Sequence, residues 1–131
     1  MISPTGQGVR SDSMGDGHFG ASRDGGTRLH NGTDFICNPG QEVASPIDGK
    51  IVRVAKPYAN DSNYSGVAIE NGQMSIQMFY LEPYSDLIGK LVRQGDPIGT
   101  AQDIAAKYGG VMVPHIHLQV DRVDPELLME E

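Results

Sequence analysis

The chain has 131 residues, 38% hydrophobic and 21% charged, which suits one globular domain rather than two domains or a disordered segment. Its formal net charge is −7, which argues against nucleic acid as a partner because phosphates demand a basic surface. Seventeen glycines and eight prolines make up about a fifth of the chain, against an average nearer 12%, and this disfavours a helical bundle.

The first 32 residues are polar and glycine-rich and read as an irregular arm or a series of loops, with Gly15-Asp16-Gly17 and Asp24-Gly25-Gly26 as turn signals. The expected division is an N-terminal arm over residues 1–14 and a single domain over residues 15–131. From Thr33 the pattern changes. Thr33 to Cys37 is a short β-prone run, followed by a turn at Asn38-Pro39-Gly40. Asp48-Gly49 predicts a hairpin turn leading into a β-branched strand over 50–55. A polar loop over 58–65 precedes a strand over 66–70, an Asn71-Gly72 turn and a return strand over 74–81. Leu91-Val92 and residues 97–100 read as short strands around Gly95-Asp96. Residues 102–108 suggest one helical turn, residues 111–120 a last strand, and Asp124-Pro125 the cap of a terminal helical turn. Strand and turn signals recurring about every ten residues predict an all-β sandwich or barrel.

The single cysteine, Cys37, leaves neither an internal disulfide nor a thiolate zinc cluster and reads as a small buried hydrophobe. No stretch approaches the ~18 apolar residues of a membrane span. Residues 1–8 hold neither a basic region nor an apolar run, so the expectation is a chain without a signal peptide, soluble and made in the cytoplasm.

Four histidines carry the chemistry: His18, His30, His115 and His117. Side chains alternate faces along a strand, so His115, His117 and Gln119 share one face. Ile116, Leu118 and Val120 share the other and should point into the core. Two imidazoles two residues apart can reach one small volume, which is a metal-ligand geometry. His30 and Asp34 lie four apart on a turn entering a strand. Zinc takes neutral imidazole and carboxylate oxygen. His30, Asp34 and one last-strand histidine would make a three-ligand site, with the other histidine as a base. A two-histidine, one-carboxylate iron centre is the competing reading, set back by the absence of a close His-x-Asp spacing. The Pro46-to-Val52 and Gln94-to-Gly99 segments echo biotinyl and lipoyl carrier domains, but no lysine sits in a suitable hairpin.

Residues 17–23, His30-Asn31-Gly32-Thr33-Asp34-Phe35, Gly40 to Val52, Val92 to Gly99 and His115-Ile116-His117 resemble the lysostaphin-type zinc metallopeptidases, which cleave peptide cross-links of bacterial peptidoglycan. The resemblance covers roughly Gly15 to Val120. It implies a mostly β fold with little helix: a compact antiparallel β-sheet or sandwich of the duplicated hybrid motif type, with a metal-containing groove. It implies zinc held by His30, Asp34 and His117, with His115 as general base. One position departs. The active enzymes carry a Tyr-x-His-Leu element whose histidine helps to stabilise the transition state, and that element falls on Met78-Phe79-Tyr80-Leu81. Tyr80 thus stands where a histidine is expected. In this, and in Lys56-Pro57-Tyr58 and Cys37, the chain is similar to the vertebrate chemotaxin branch of the family, whose zinc site is kept without peptidase activity. A tyrosine hydroxyl can donate to an oxyanion but brings no positive charge.

The leading expectation is therefore a zinc metallo-endopeptidase acting on peptidoglycan peptides, with His115 and Tyr80 catalytic. The missing leader suggests a phage lysin, or a component of a virion or wall-lytic assembly, acting at the cell wall. The alternative is a zinc-binding recognition module that holds wall peptides or a protein partner without cleaving them.

Overall fold

The computed structural model describes residues 1–9, 11–12, 15–16, 22–23, 28–29 and 32–124. Its strands, all antiparallel, form two main sheets and two separate two-stranded pairs. In chain order they are β1 (Ser11–Asp12), β2 (Gly15–Asp16), β3 (Ser22–Arg23), β4 (Arg28–Leu29), β5 (Thr33–Ile36), β6 (Glu42–Ala44), β7 (Gly49–Ala55), β8 (Gly66–Glu70), β9 (Met74–Phe79), β10 (Leu81–Pro83), β11 (Leu91–Val92), β12 (Pro97–Ala101) and β13 (His115–Val123). Short 3₁₀ turns cover Ser85–Leu87 and Ile104–Tyr108. The mostly β expectation holds, and the helical turn near 102–108 is present as 3₁₀.

The larger sheet has six strands in the order β11-β7-β8-β9-β13-β5, and the smaller runs β10-β12-β6; the separate pairs are β1-β2 and β3-β4. One apolar cluster draws on both: Ile51, Val67, Ile69, Ile76, Met78, Ile116 and Leu118 from the larger, Val43, Leu81, Ile98 and Ala101 from the smaller. These side chains follow the two-residue period, as in the alternation of Ile76 and Met78 with Ser75, Gln77 and Phe79. The first nine residues lie along both sheets: Ile2 N–H donates to Pro46 O, Ala44 N–H to Pro4 O and Ile36 N–H to Gly8 O. Val9 bridges Phe35, and Pro4 is fully buried.

Four details differ from the sequence reading. Asp48-Gly49 is not a hairpin turn: β6 belongs to the smaller sheet and β7 to the larger, so the segment between them changes sheets. Gly49 is needed instead for close packing, since a Cβ there would sit 2.9 Å from Glu70 O. The return strand over 74–81 is interrupted. It ends at Phe79, and Leu81 opens β10 in the other sheet. The residue between them, Tyr80, has φ +77° and is the sole non-glycine with positive φ among the described residues. The last strand runs 115–123 rather than 111–120. Val120 is 41% exposed rather than in the core, because the apolar layer reaches only as far as Leu118 on β13. The β8–β9 turn is present, closed by the Asn71 side chain, whose Oδ1 accepts from the N–H groups of Gln73 and Met74. The terminal helical turn beyond Asp124 lies outside the described residues.

Candidate metal centre

Strand register assembles the site. Asp34 on β5 pairs directly with His117 on β13, and His117 pairs with Phe79 on β9. Directly opposed residues on one sheet face bring their side chains together. His117 Nδ1 accordingly lies 2.9 Å from Asp34 Oδ1, and the Phe79 ring stacks on the imidazole at 5.6 Å with a 7° interplanar angle. His115, two residues earlier on the same face, brings Nε2 to 3.5 Å from Asp34 Oδ2. Asp34, His115 and His117 are 2%, 3% and 6% exposed. Gly32 closes the approach, since a Cβ there would stand 2.9 Å from His117 Nε2 and Cε1.

The outer nitrogens of the two imidazoles are each held by an acceptor. His115 Nδ1 lies 2.8 Å from Val113 O, a carbonyl that can only accept. His117 Nε2 lies 3.2 Å from Gln119 Oε1. The Gln119 amide is oriented by its own nitrogen, which donates to Asp121 Oδ1 at 2.7 Å, while Gln77 donates to Asp121 Oδ2 at 2.7 Å. A proton on His115 Nδ1 satisfies Val113 O; on His117, a proton on Nε2 satisfies Gln119 Oε1 and a proton on Nδ1 satisfies Asp34 Oδ1. With the protons on the outer nitrogens, the inward nitrogens turn lone pairs toward the two oxygens of Asp34. Lone pairs facing a buried carboxylate call for a cation, either a further proton or a metal ion. Imidazole nitrogen and carboxylate oxygen are zinc donors, and carbonyl or amide acceptors on the outer nitrogens are what orients ligating histidines. The described residues fit that role as a partial set. Among them, no three His, Cys, Asp or Glu side chains form a complete metal-binding group. The expected third ligand, His30, lies outside the described residues, as does His18.

Tyr80 meets the site from the side. Its ring stands edge-on to the His115 imidazole, with centroids 5.4 Å apart at 90°. Had β9 continued, alternation would have placed Tyr80 on the core face with Met78. The left-handed backbone at Tyr80 breaks that alternation. It is held by Tyr80 N–H donating to Ser65 O and by Gln102 N–H donating to Tyr80 O, both at 2.8 Å. The expected catalytic pair His115 and Tyr80 and the expected ligands Asp34 and His117 are thus brought together.

Further residues join them. Tyr58 stacks on Tyr80, and Tyr64 stands edge-on to both. Tyr58 Oη lies 3.3 Å from Tyr80 Oη and 2.9 Å from Tyr108 Oη. The Lys107 ammonium sits 4.6 Å above the Tyr58 ring and is paired with Asp61 at 2.7 Å. Hydrogen bonding to Lys107 holds the Asp61 carboxyl below its ordinary range, and the same bond raises Lys107. Burial, then hydrogen bonds to Tyr108 and Tyr80, push the Tyr58 phenol well above the ordinary tyrosine range. The sequence offered Tyr58, Tyr64 and Tyr108 as residues that could line a groove, but not their contact with Tyr80, because Tyr58 and Tyr108 lie 50 residues apart. Gln119 was visible on the histidine face, but its hold on His117 depends on Asp121 and Gln77, which no spacing connects.

Residues 28–126 match peptidase family M23. The chain belongs to that family. It is 33% identical over 120 residues to leukocyte cell-derived chemotaxin-2 of Bos taurus, covering 90% of this chain and 76% of that protein. It is 36% identical over 92 residues to the peptidoglycan DD-endopeptidase ShyB of Vibrio cholerae, covering 70% of this chain but 20% of ShyB. Among solved structures, the catalytic domain of the antimicrobial peptidase lysostaphin from Staphylococcus simulans superposes with a TM-score of 0.56 at 26% identity, covering 92% of each chain. This M23 domain therefore has the lysostaphin-like fold that its sequence suggested. No helix among the described residues is long and apolar enough to cross a membrane.

Proposed function

We propose that the chain is a zinc-dependent endopeptidase that cleaves peptide cross-links of bacterial peptidoglycan. The observation that carries the reading is the Asp34 carboxylate, buried and faced by the inward nitrogens of both His115 and His117. Membership of peptidase family M23 and similarity to a peptidoglycan endopeptidase supply the reaction class. Asp34 and His117, with His30 as third ligand, would hold the zinc. Bound zinc would supply Lewis acidity toward the scissile carbonyl.

The protein's own groups perform the remaining tasks. The bond from Nδ1 to Val113 O fixes the His115 ring and leaves Nε2 basic and turned inward. His115 Nε2 takes the proton of the attacking water and later gives it to the leaving amine. The Tyr80 hydroxyl donates to the oxygen on which negative charge develops. Gln119 and Asp121 keep the proton of His117 on Nε2, so that Nδ1 stays available as a donor atom.

A second reading is favoured by Tyr80 and by the similarity to chemotaxin-2: a zinc-binding recognition module that holds a peptide without cutting it. The same fold and ligand set serve both. Incubation of the purified protein with cross-linked murein separates them. The endopeptidase reading expects soluble peptide fragments, abolished by a chelator and by His115→Ala. Binding to murein with no fragments released would overturn it in favour of the module.

A further inference from the structure

Asp34 offers its carboxylate from the least supported strand of the larger sheet. β5 is four residues long and stands last in the strand order, paired with β13 alone. Short end strands fray readily, whereas a metal ligand must be held to within about 0.5 Å. Alternation along the chain turns Cys37 N–H inward to Pro114 O, at 3.0 Å, and Ile36 N–H outward to Gly8 O, at 2.8 Å. Val9 bridges Phe35, the neighbour of Asp34. The segment over 1–9 therefore takes the side of β5 that faces away from β13.

That segment is a folded piece in its own right. Ser3 Oγ donates to Gln7 O at 2.8 Å and accepts from Thr5 N–H at 3.4 Å, and Thr5 Oγ1 accepts from Gln7 N–H at 3.2 Å. These local bonds hold residues 3–7 in a compact turn. The turn is fastened to the smaller sheet. Ala44 N–H on β6 donates to Pro4 O at 2.9 Å, and the Pro4 ring is fully buried. The Gln41 amide donates to Thr5 O at 3.1 Å and accepts from Gln7 Nε2 at 3.3 Å. Gln41 is itself fixed: its Oε1 accepts from Asn38 N–H at 2.7 Å, and its carbonyl accepts from Ala101 N–H on β12 at 2.8 Å.

We propose that residues 1–9 form a strap that carries the rigidity of the smaller sheet across to β5 and so holds Asp34 in ligand position, with Pro4 and Gln41 as its positioning residues. Released on its outer side, β5 would keep its ladder to β13 but rock about it, and a swing of about 1 Å at Asp34 is enough to loosen a metal site. The apolar cluster that joins the two sheets includes no residue of the strap, so lifting the strap leaves that cluster filled. Folding and ligation are thereby separable.

The inference rests on the zinc reading of the site, and its test reads both zinc affinity and backbone protection in the full chain. Pro4→Asp sets a charge where the ring is buried and should lift the strap. Zinc affinity, measured by competition with a chelator of known strength, should fall about tenfold to a hundredfold. Gln41→Glu keeps an acceptor for Asn38 N–H but removes the donor to Thr5 O, and should weaken zinc binding about threefold to tenfold. Ile98→Ala, in the core of the smaller sheet, is the comparison. It should lower the urea midpoint yet leave zinc affinity within about twofold, because affinity belongs to the folded molecules. Unchanged affinity in Pro4→Asp, or losses in all three variants that merely follow their midpoints, would overturn the proposal. If Pro4→Asp does not fold, Gln41→Glu is judged against Ile98→Ala by the same rule. Amide hydrogen exchange of the metal-free protein gives a readout independent of zinc. In the strap variants the Ile36 amide should accelerate about tenfold more than that of Ile69, which lies in the middle of the larger sheet and reports global opening. Equal acceleration at both amides, or none at Ile36, would count against the strap. If wild-type protein binds no zinc, the zinc reading fails, and the exchange at Ile36 alone then decides whether the strap holds β5.

Discussion

Ile116 and His117 sit side by side on β13 and are withdrawn from solvent almost equally, at 0% and 6% exposure, yet they face opposite chemistries. Ile116 joins Ile76, Met78 and Ile98 in the apolar layer, where removal from water is itself the stabilising term. His117 enters an equally dry place in which burial is a cost that Asp34, Gln119 and the Phe79 ring must offset. One strand thus carries a folding face and a working face, separated only by the two-residue period. Similar burial does not mean similar purpose, and the partner of each side chain tells the two apart.

The strongest way to break that contrast is to remove the charge from the working face. Asp34→Ala should abolish stoichiometric zinc binding in the purified protein and lower peptide release by on the order of 10³ or more. Metal analysis and the murein assay read the two effects. Retention of one zinc per chain would move the metal site away from Asp34.

Next in size is the folding face. Ile116→Ala should reduce stability by about 2–5 kcal/mol, seen as a lower urea midpoint, while the folded fraction keeps activity within a few-fold of wild type. Loss of activity with an unchanged midpoint would show that the two faces are not separable.

The smallest effect concerns Cys37, which is buried at the end of β5. Burial, with Asp103 nearby, raises its pKa to about 12 from 9.0. The thiol should therefore resist alkylation near neutral pH in the folded protein and react readily in denaturant. The folded thiol holds its proton more tightly than the unfolded one. Whatever stability this contributes is present below about pH 9 and is lost as pH rises toward about 12. Equal labelling rates in folded and unfolded protein would show that the core opens at β5.

Much of the site was legible because its key relation is local. His115 and His117 with Ile116 and Leu118 between them are two faces of one strand, and the pleat alone sorts them. Asp34 lies on a β-prone run, and the structure sets that run beside β13. Tyr80 was legible as a residue out of pattern but not as a break in a strand. Nothing in Met78-Phe79-Tyr80-Leu81 signals positive φ, and no glycine or asparagine marks the position. Asp48-Gly49 misled for the same reason. A turn dipeptide reports local backbone freedom, whereas the sheet joined by the next strand depends on partners some twenty residues away, at Ile69 and Glu70.

The sequence by itself determined the alternating strands, the metal-type donors on one face of the last strand, and the family to which the chain belongs. These follow from side-chain chemistry and a two-residue period, which act over a few neighbouring positions. The tertiary structure alone decided that β9 gives way to β10 at a left-handed Tyr80, that Gln119, Asp121 and Gln77 line up behind His117, and that three distant tyrosine hydroxyls meet beside His115. Each of these depends on contacts between segments far apart in the chain, and the packing of two sheets is what brings those segments together.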